Sequence, residues 1–363
     1  MPKPIIIAIT GSAGKSTTKE MLAAILSRRL TILKTNGNLN DVYHTHLYRK
    51  QLTRRHLAAV LEYGMSGPGQ IAAHCRILQP DISIITNVGS AHIGKFGGSI
   101  VRLANAKSEI IAGMKKSGLL VINADDPNTR YLPISTHQGP LYRVSQQKKA
   151  DIYATDLSLT KTGSYFTAHT KSHAFRLFIP VIAKHNIHNA LFAIAVADYL
   201  GFTKDDIRIG LANFQRLPHR LTILASQGGR ILIDDTYSAN PHAVRAAIDV
   251  LASFPNRPKI AILGSMLSLG ILSTKAHQTI GTYLDERQID QIITFGEEAK
   301  AIAIGALAKG FPKDRVHAFL QRKVMHAYLA NHLPKKAVIL IKGSHAMHMV
   351  DTVRFLQQKR RES

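Results

Sequence analysis

Residues 5–20, IIIAITGSAGKSTTKE, restrict the possible folds of this chain more than any other segment. Ile5, Ile6, Ile7, Ala8 and Ile9 form a short apolar run rich in β-branched side chains, the pattern of a buried strand in a parallel sheet. Thr10, Gly11, Ser12, Ala13 and Gly14 are small, so the backbone can turn sharply and come close to a ligand. Lys15 and Ser16 follow, and a helix is expected to begin there with Thr17, Thr18, Lys19, Glu20, Met21 and Leu22. Strand, Gly-rich loop, Lys-Ser and helix, in that order, is the build of a phosphate-binding loop. Its backbone N–H groups and the helix N-terminus face phosphates, Lys15 adds a point charge, and Ser16 can hold Mg²⁺. The spacing here, Gly-x-x-Gly-Lys-Ser, is shorter than the common Gly-x4-Gly-Lys-Ser. A Gly-rich turn with an incidental lysine is the plainer alternative, and the order of strand, loop and helix speaks against it.

Beyond this loop the chain alternates between strand and helix patterns. Residues 31–33 read as a second short strand, and 35–41 as a polar, turn-prone loop. Residues 56–61 (HLAAVL) read as a buried strand ending at Glu62. A carboxylate at the C-terminal end of a central strand stands where α/β sheets bind ligands, and it could hold Mg²⁺ directly or through water. A merely solvated acid is the alternative. Residues 69–78 look helical, 81–86 (DISIIT) form a strand, and the polar loop 87–92 leaves it, ending at His92. That histidine could reach phosphates or a metal, although a lone loop histidine is more often structural. A helix over 100–114 carries Lys107, and 118–123 (GLLVIN) is one more strand. Such alternation predicts a mostly parallel sheet wound on both faces.

The texture changes over 140–182, where 152–154, 163–167 and 175–181 read as hairpin strands, a small antiparallel addition to the first domain. Helices are expected over 190–200 and 204–214. Pro218, within RLPHR, marks a hinge. After it come strands at 230–234, 259–263, 291–294 and 337–341, with a helix over 240–251 that Asn240 caps and Pro241 opens. The expected architecture is α/β. A P-loop central domain over 1–217 has a mostly parallel sheet plus the antiparallel addition. A smaller doubly wound, Rossmann-like C-terminal domain over 218–363 follows it.

Composition sets further bounds. The chain has 363 residues, is 45% hydrophobic and contains one cysteine, Cys75, which excludes an internal disulfide and suits a reducing compartment. No run approaches the ~20 apolar residues of a membrane-spanning helix, and the N-terminal apolar run is too short for a signal peptide. A cytoplasmic protein is expected. The net charge of +24 comes from scattered basic doublets such as Arg28–Arg29, Arg54–Arg55 and Lys115–Lys116, and from Lys359-Arg360-Arg361. Solvated surface charge and attraction to an anionic substrate or polymer both account for it. No nucleic-acid-reading motif is present.

The stretches TGSAGKSTTKEM, EYGMSGPGQIA, PDISIITNVGSAHIGKFGG, NAKSEI, NADDP, KHNIHNALFAIAVA, LPHRL, IDDTYSANPHAVRAAIDVLA, ILGSMLSLG and KGSHAM follow one another in an order that resembles the Mur ligases. That family makes cell-wall peptide amide bonds with ATP, and the likeness covers nearly the whole chain. The resemblance implies that Gly11, Ser12, Ala13, Gly14, Lys15, Ser16 and Thr17 hold the ATP phosphates, and that Ser16 and Glu62 ligate Mg²⁺. It implies a second Mg²⁺ served by His92. Lys107 stands at the family's CO₂-reactive lysine, whose carbamate ligates or orients Mg²⁺. Asn186 and Asn189 would lie near the adenine, with helix capping as the plainer role. Arg220 and Asp235 would reach phosphates and ribose from the second domain. Lys342, Ser344 and His345 fall where the amine substrate enters. Lys15, Lys107, His92 and Arg220 make up the implied catalytic set.

Departures from the family pattern stand beside these matches. The chain begins at the phosphate loop, so the family's UDP-sugar-binding domain is expected to be absent. Asp41-Val42-Tyr43-His44 replaces a turn after Asn40, Ala183 replaces a glycine, Ser265 and Ser268 replace acidic residues, and His345 stands where an arginine is common. The expected activity is an ATP-dependent, ADP-forming ligase that works through an acyl phosphate. It would join an amino acid or peptide to a carboxylate, with an acidic polymer as one possible acceptor. Two alternatives remain at this point: a peptidoglycan-precursor ligase whose UDP domain is supplied in trans, and a nucleotide-binding scaffold or nucleic-acid-associated ATPase. The intact Glu62, His92 and Lys107 set argues against the last.

Overall fold

The computed structural model describes residues 3–160 and 162–358; the basic Lys359-Arg360-Arg361 cluster lies outside them. The chain divides between Arg216 and Leu217 into two compact units.

Unit 1 opens with β1 (Ile5–Thr10), α1 (Lys15–Leu26), β2 (Ile32–Lys34), α2 (Val42–Gln51), β3 (Ala58–Glu62), α3 (Gln70–Ile77), β4 (Ile82–Ile85), α4 (Ile100–Gly113) and β5 (Leu119–Asn123). It continues with β6 (Leu141–Ser145), β7 (Ile152–Leu159), β8 (Ser164–His169), β9 (Ala174–Ile179), α5 (Lys184–Tyr199) and α6 (Lys204–Ala212). The sheet is nine-stranded in the order β2-β3-β1-β4-β5-β6-β7-β8-β9. Strands β2 to β7 pair in parallel, and β7-β8-β9 form the antiparallel addition.

Alternation along β1 explains why its sequence is apolar throughout. Ile7 and Ile9 join a core with Met21 and Leu22 of α1 and Leu191 and Ile194 of α5. Ile6 and Ala8 join a second core with Ile71 of α3 and Ala104 and Ile110 of α4. Both faces of the sheet are dry, so neither side of the strand can be polar. After β1 the chain moves first to the β3 side and then to the β4 side. The crevice at the C-terminal end of β1 is therefore the topological switch point, where open α/β sheets bind ligands.

Unit 2 runs β10 (Thr222–Ser226), β11 (Arg230–Asp235), α7 (Pro241–Ala252), β12 (Lys259–Gly264), α8 (Ser273–Tyr283) and β13 (Gln291–Phe295). Then follow α9 (Lys300–Ala308), β14 (Val316–Phe319), α10 (Arg322–His332), β15 (Val338–Lys342) and α11 (Val350–Gln357). Its six-stranded sheet has the order β10-β11-β15-β12-β13-β14, parallel except for the β10 edge. Asn240 caps α7 by accepting from the Ala243 amide at 2.9 Å, with Pro241 at the first turn. Cys75 is buried in α3. Among the described residues no helix is long and apolar enough to cross a membrane.

Five elements were not expected from the sequence: α2, β6, β10, β14 and α11. Helix α2 is polar on most faces and buries only Thr45 and Tyr48, so it has little apolar periodicity to read. Its signal is Asp41, which caps it by accepting from the His44 amide at 2.9 Å. Strands β10 and β14 are edges with mixed exposure, which blurs the apolar pattern of an inner strand.

Candidate active site

The loop after β1 is shaped largely by the loop after β4. The Ser12 and Ala13 amides both donate to Asn87 Oδ1, at 3.1 and 3.0 Å, and Thr86 Oγ1 donates to Ala13 O at 2.6 Å. Ser12 Oγ donates to Gly89 O at 2.9 Å. These bonds fix the loop before any ligand arrives. Gly14 closes it with φ of 84° and ψ of −13°, the left-handed region, and offers α1 no side-chain cap. The amides of Ser16 and Thr17, at the positive end of α1, are thereby left to an anion. Lys15 Nζ folds back to donate to Gly11 O at 2.7 Å.

Another side of the crevice is built from α1, β3 and the 35–41 loop. Ser16 Oγ donates to Glu62 Oε2 at 3.0 Å, and Asn40 Nδ2 donates to the same oxygen at 3.2 Å. Glu62 is buried and its Oε1 accepts no hydrogen bond among the described residues. A buried, half-satisfied carboxylate touching a hydroxyl supplies hard oxygen donors of the kind Mg²⁺ takes. Among the described residues no three His, Cys, Asp or Glu side chains gather as a metal cage.

Lys107, on α4, is buried, and its ammonium has no hydrogen bond or ion pair among the described residues. Burial first, and then the charge of Lys15, push it well below the ordinary lysine value. His92 stands at φ of 62° and ψ of 12°, a left-handed conformation uncommon for a residue with a side chain. It is lowered to about 4, first by desolvation and then by Lys15, Lys107 and Lys95. Because the residue keeps an exposed face, water offsets part of that desolvation. The charge of Lys15 thus bears on both His92 and Lys107, and an anion introduced there would be stabilised by Lys15 and would favour the protonated forms of the other two.

Asn186 and Asn189 lie in the first turns of α5 and are both buried. Neither caps the helix. Asn186 Nδ2 donates back to Ile182 O at 2.7 Å, and Asn189 Nδ2 donates to Asn186 Oδ1 at 3.2 Å. A methyl group on Gly14 would come within 2.4 Å of Asn189 Oδ1, so α5 packs directly against the phosphate loop.

In unit 2, Asp235 and Lys342 are register partners at the C-terminal ends of β11 and β15. Lys342 Nζ is buried and donates to Asp235 Oδ2 at 2.6 Å and to Ser238 O at 2.7 Å. Arg220 lies 4.2 Å from the centre of the Tyr237 ring, and its Nε is buried without a hydrogen-bond partner among the described residues. The His345 ring centre lies 6.0 Å from that of Tyr237. Ser265 Oγ accepts from the Ala299 amide at 3.2 Å, and Ser344 Oγ accepts from the Leu267 amide at 2.8 Å. The loops after β12 and β15 are thereby tied together. Ser268 adopts φ of 66°.

Comparison with known proteins agrees with this layout. The Mur ligase middle domain matches residues 9–197, and the Mur ligase, glutamate ligase domain matches residues 219–345. The chain belongs to the Mur ligase family. As a Mur ligase it is an enzyme, one of the ATP-dependent, ADP-forming ligases. It is 34% identical over 360 residues to the UDP-N-acetylmuramoyl-tripeptide–D-alanyl-D-alanine ligase of Bacillus subtilis strain 168, a match covering 97% of this chain and 75% of that one. Crystal structure I of MurF from Acinetobacter baumannii is similar with a TM-score of 0.90 at 32% identity, over 98% of this chain and 77% of that one. MurF ligase of Thermotoga maritima in complex with ADP gives a TM-score of 0.83 at 26% identity, over 98% and 80%.

Within unit 1 of this Mur ligase, the residues expected from the sequence converge. Ser16 adjoins Glu62, the charge of Lys15 bears on His92 and Lys107, and Asn189 meets Gly14. Asn87, Asn40 and Lys19 were not singled out. Asn87 opens the loop that ends in His92, a position that marks it for phosphate-loop contact. Lys19 follows Ser16 by three residues, which on a helix puts both on one face.

Proposed function

We propose that the chain joins a carboxylate to an amine with ATP, through an acyl phosphate. The observation that carries this reading is the contact of Ser16 and Glu62 beside Lys15, with the buried Lys107 amine facing the same charge. A carboxylate oxygen attacks the γ-phosphorus, the bond to the β-phosphate oxygen breaks, and ADP leaves. The amine nitrogen then attacks the acyl carbon, phosphate departs with the C–O electron pair, and the nitrogen sheds a proton. Lys15 and the first-turn amides of α1 offset the charge on the phosphates. Arg220 and Asp235, in unit 2, are proposed as further nucleotide-binding residues, and Asn186 and Asn189 as neighbours of the adenine.

Ser16 and Glu62 would hold one Mg²⁺, and His92 with a carbamylated Lys107 would serve a second. When bound, Mg²⁺ supplies positive charge to the transferring phosphoryl group. The depressed basicity of Lys107 favours a neutral amine, the form that takes up CO₂, and the resulting anion would sit among Lys15 and His92. Lys107→Ala should lower turnover by at least tenfold, and removing bicarbonate should slow the wild type while leaving the variant unaffected. Normal turnover by the variant would remove Lys107 from the mechanism.

An amino acid or peptide is the proposed amine, and a peptide or acidic-polymer carboxylate the proposed acceptor. The setting proposed is cytoplasmic, where ATP is abundant. Ser265, Ser268 and His345 lie on the loops after β12 and β15 and differ from the acidic and arginine side chains usual there, which favours an altered amine. The substrates in the Bacillus subtilis relative's name, D-alanyl-D-alanine and the UDP-linked tripeptide, are the first pair to test. With ¹⁸O in the carboxylate, single turnover should move label into inorganic phosphate; unlabelled phosphate would overturn the acyl-phosphate route.

A further inference from the structure

We infer that Lys19 is a positioning residue that sets how much negative charge Glu62 presents to a divalent cation. The inference rests on the proposed role of Ser16 and Glu62 as Mg²⁺ ligands.

The Lys19 side chain is 0% exposed, a rare state for a lysine, and one that requires pairing. Its Nζ donates to Thr35 O at 2.7 Å, meets Glu20 Oε1 at 2.9 Å and lies 3.4 Å from Glu62 Oε1. Thr35 joins the same structure from the other side, since its Oγ1 accepts the Glu62 amide at 2.9 Å. One backbone residue therefore fixes both the cation and the end of β3. Glu20 has a second cation in Lys34. Glu62 has no ion-pair partner besides Lys19 among the described residues.

The ammonium is thus divided between two carboxylates. Its contact with Glu20 is the shorter, and its approach to Glu62 falls outside hydrogen-bond geometry. Glu62 is left partly neutralised, with Oε2 turned to Ser16. Between buried groups such a fixed charge acts at close range with little screening. A partly neutralised carboxylate holds a cation weakly by itself, and nucleotide phosphates must supply the remaining negative charge. Lys19 would in this way make metal binding conditional on nucleotide.

Two substitutions move the division in opposite directions. Lys19→Met removes the cation and leaves Glu62 fully charged. Glu20→Gln removes the competing carboxylate and releases Lys19 toward Glu62. Mn²⁺ affinity, read by electron paramagnetic resonance at pH 8 with and without ADP, should rise about tenfold without ADP in Lys19→Met. It should fall about tenfold with ADP in Glu20→Gln. Mg²⁺ competition should follow the same order, and thermal melts identify folded samples. A lysine that only supports packing would weaken metal binding in both variants or leave it unchanged, and either result overturns the inference. If Lys19→Met does not fold, Glu20→Gln decides alone, and unchanged or tighter binding there overturns it. Glu62→Gln separates the two readings. If wild-type Mn²⁺ binding survives that change, the metal-ligand reading itself fails. If binding is lost there and the other two variants do not diverge, only the role of Lys19 falls.

Discussion

Ala183 adopts φ of 94° and ψ of 138° immediately before α5, a conformation that a Cβ opposes and glycine tolerates. This chain therefore holds local strain immediately before α5. Ala183→Gly should stabilise unit 1 by roughly 1 kcal/mol, visible as a higher melting temperature; a lower one would show that the buried methyl matters more than the backbone. Gly14 is the opposite case. Its positive φ and its closeness to Asn189 leave no room for a methyl group. Gly14→Ala should cut ADP affinity at least tenfold, because the loop must move off the α1 N-terminus to relieve the overlap. Titration calorimetry on folded protein checks this.

At the scale of elements, helices α8 and α9 pack by close backbone approach. A methyl group on Gly281 would lie 2.0 Å from Ile302 O, and one on Gly305 would lie 2.3 Å from Gln278 O. Backbone atoms cannot rotate away as a side chain can. Gly281→Ala should therefore destabilise unit 2 by on the order of 3 kcal/mol, while ADP binding to unit 1 is kept; an unchanged unfolding transition would refute it. The sequence reveals elements in proportion to how fully they are buried. Strands β1, β3, β4 and β5 are dry on both faces and read as apolar runs. Helix α2 and strands β10 and β14 face water over much of their surface, so their patterns are ambiguous without neighbours. In the site, Lys15 and Ser16 are legible because a loop motif needs local residues only. Asn87 and Lys19 are not, because Asn87 meets Ser12 from 75 positions away along the chain and Lys19 meets Thr35 from 16.

For the whole molecule, acidity is the condition that tests the burial of its histidines. His74 is fully buried, donating from Nε2 to Gly64 O at 3.0 Å and accepting from Thr45 Oγ1 at 2.6 Å. Desolvation lowers it from 6.5 to about 4. His277 is likewise buried, accepting the Met266 amide at 2.9 Å, and is also lowered chiefly by desolvation. Both are depressed bases, so the unfolded chain binds the extra protons first. The stabilisation from His74 is complete above about pH 6.5 and is lost as pH falls toward about 4, worth on the order of 3 kcal/mol, and His277 acts in the same direction. The net charge of +24 adds self-repulsion over the same range as carboxylates protonate. Melting temperature should fall between pH 6.5 and 4, and moderate salt should recover part of the loss; a flat profile would refute the assignment of neutral buried histidines. What the sequence determined by itself was the phosphate loop, the alternation of buried strands and helices, and the family, since each rests on residues close in the chain or on their order. Only the tertiary structure decided that Lys19 stands behind Glu62, that Asn87 ties the phosphate loop and that Lys107 is a buried amine. Those facts depend on which distant segments share a dry crevice, and burial is what gives their charges and hydrogen bonds their strength.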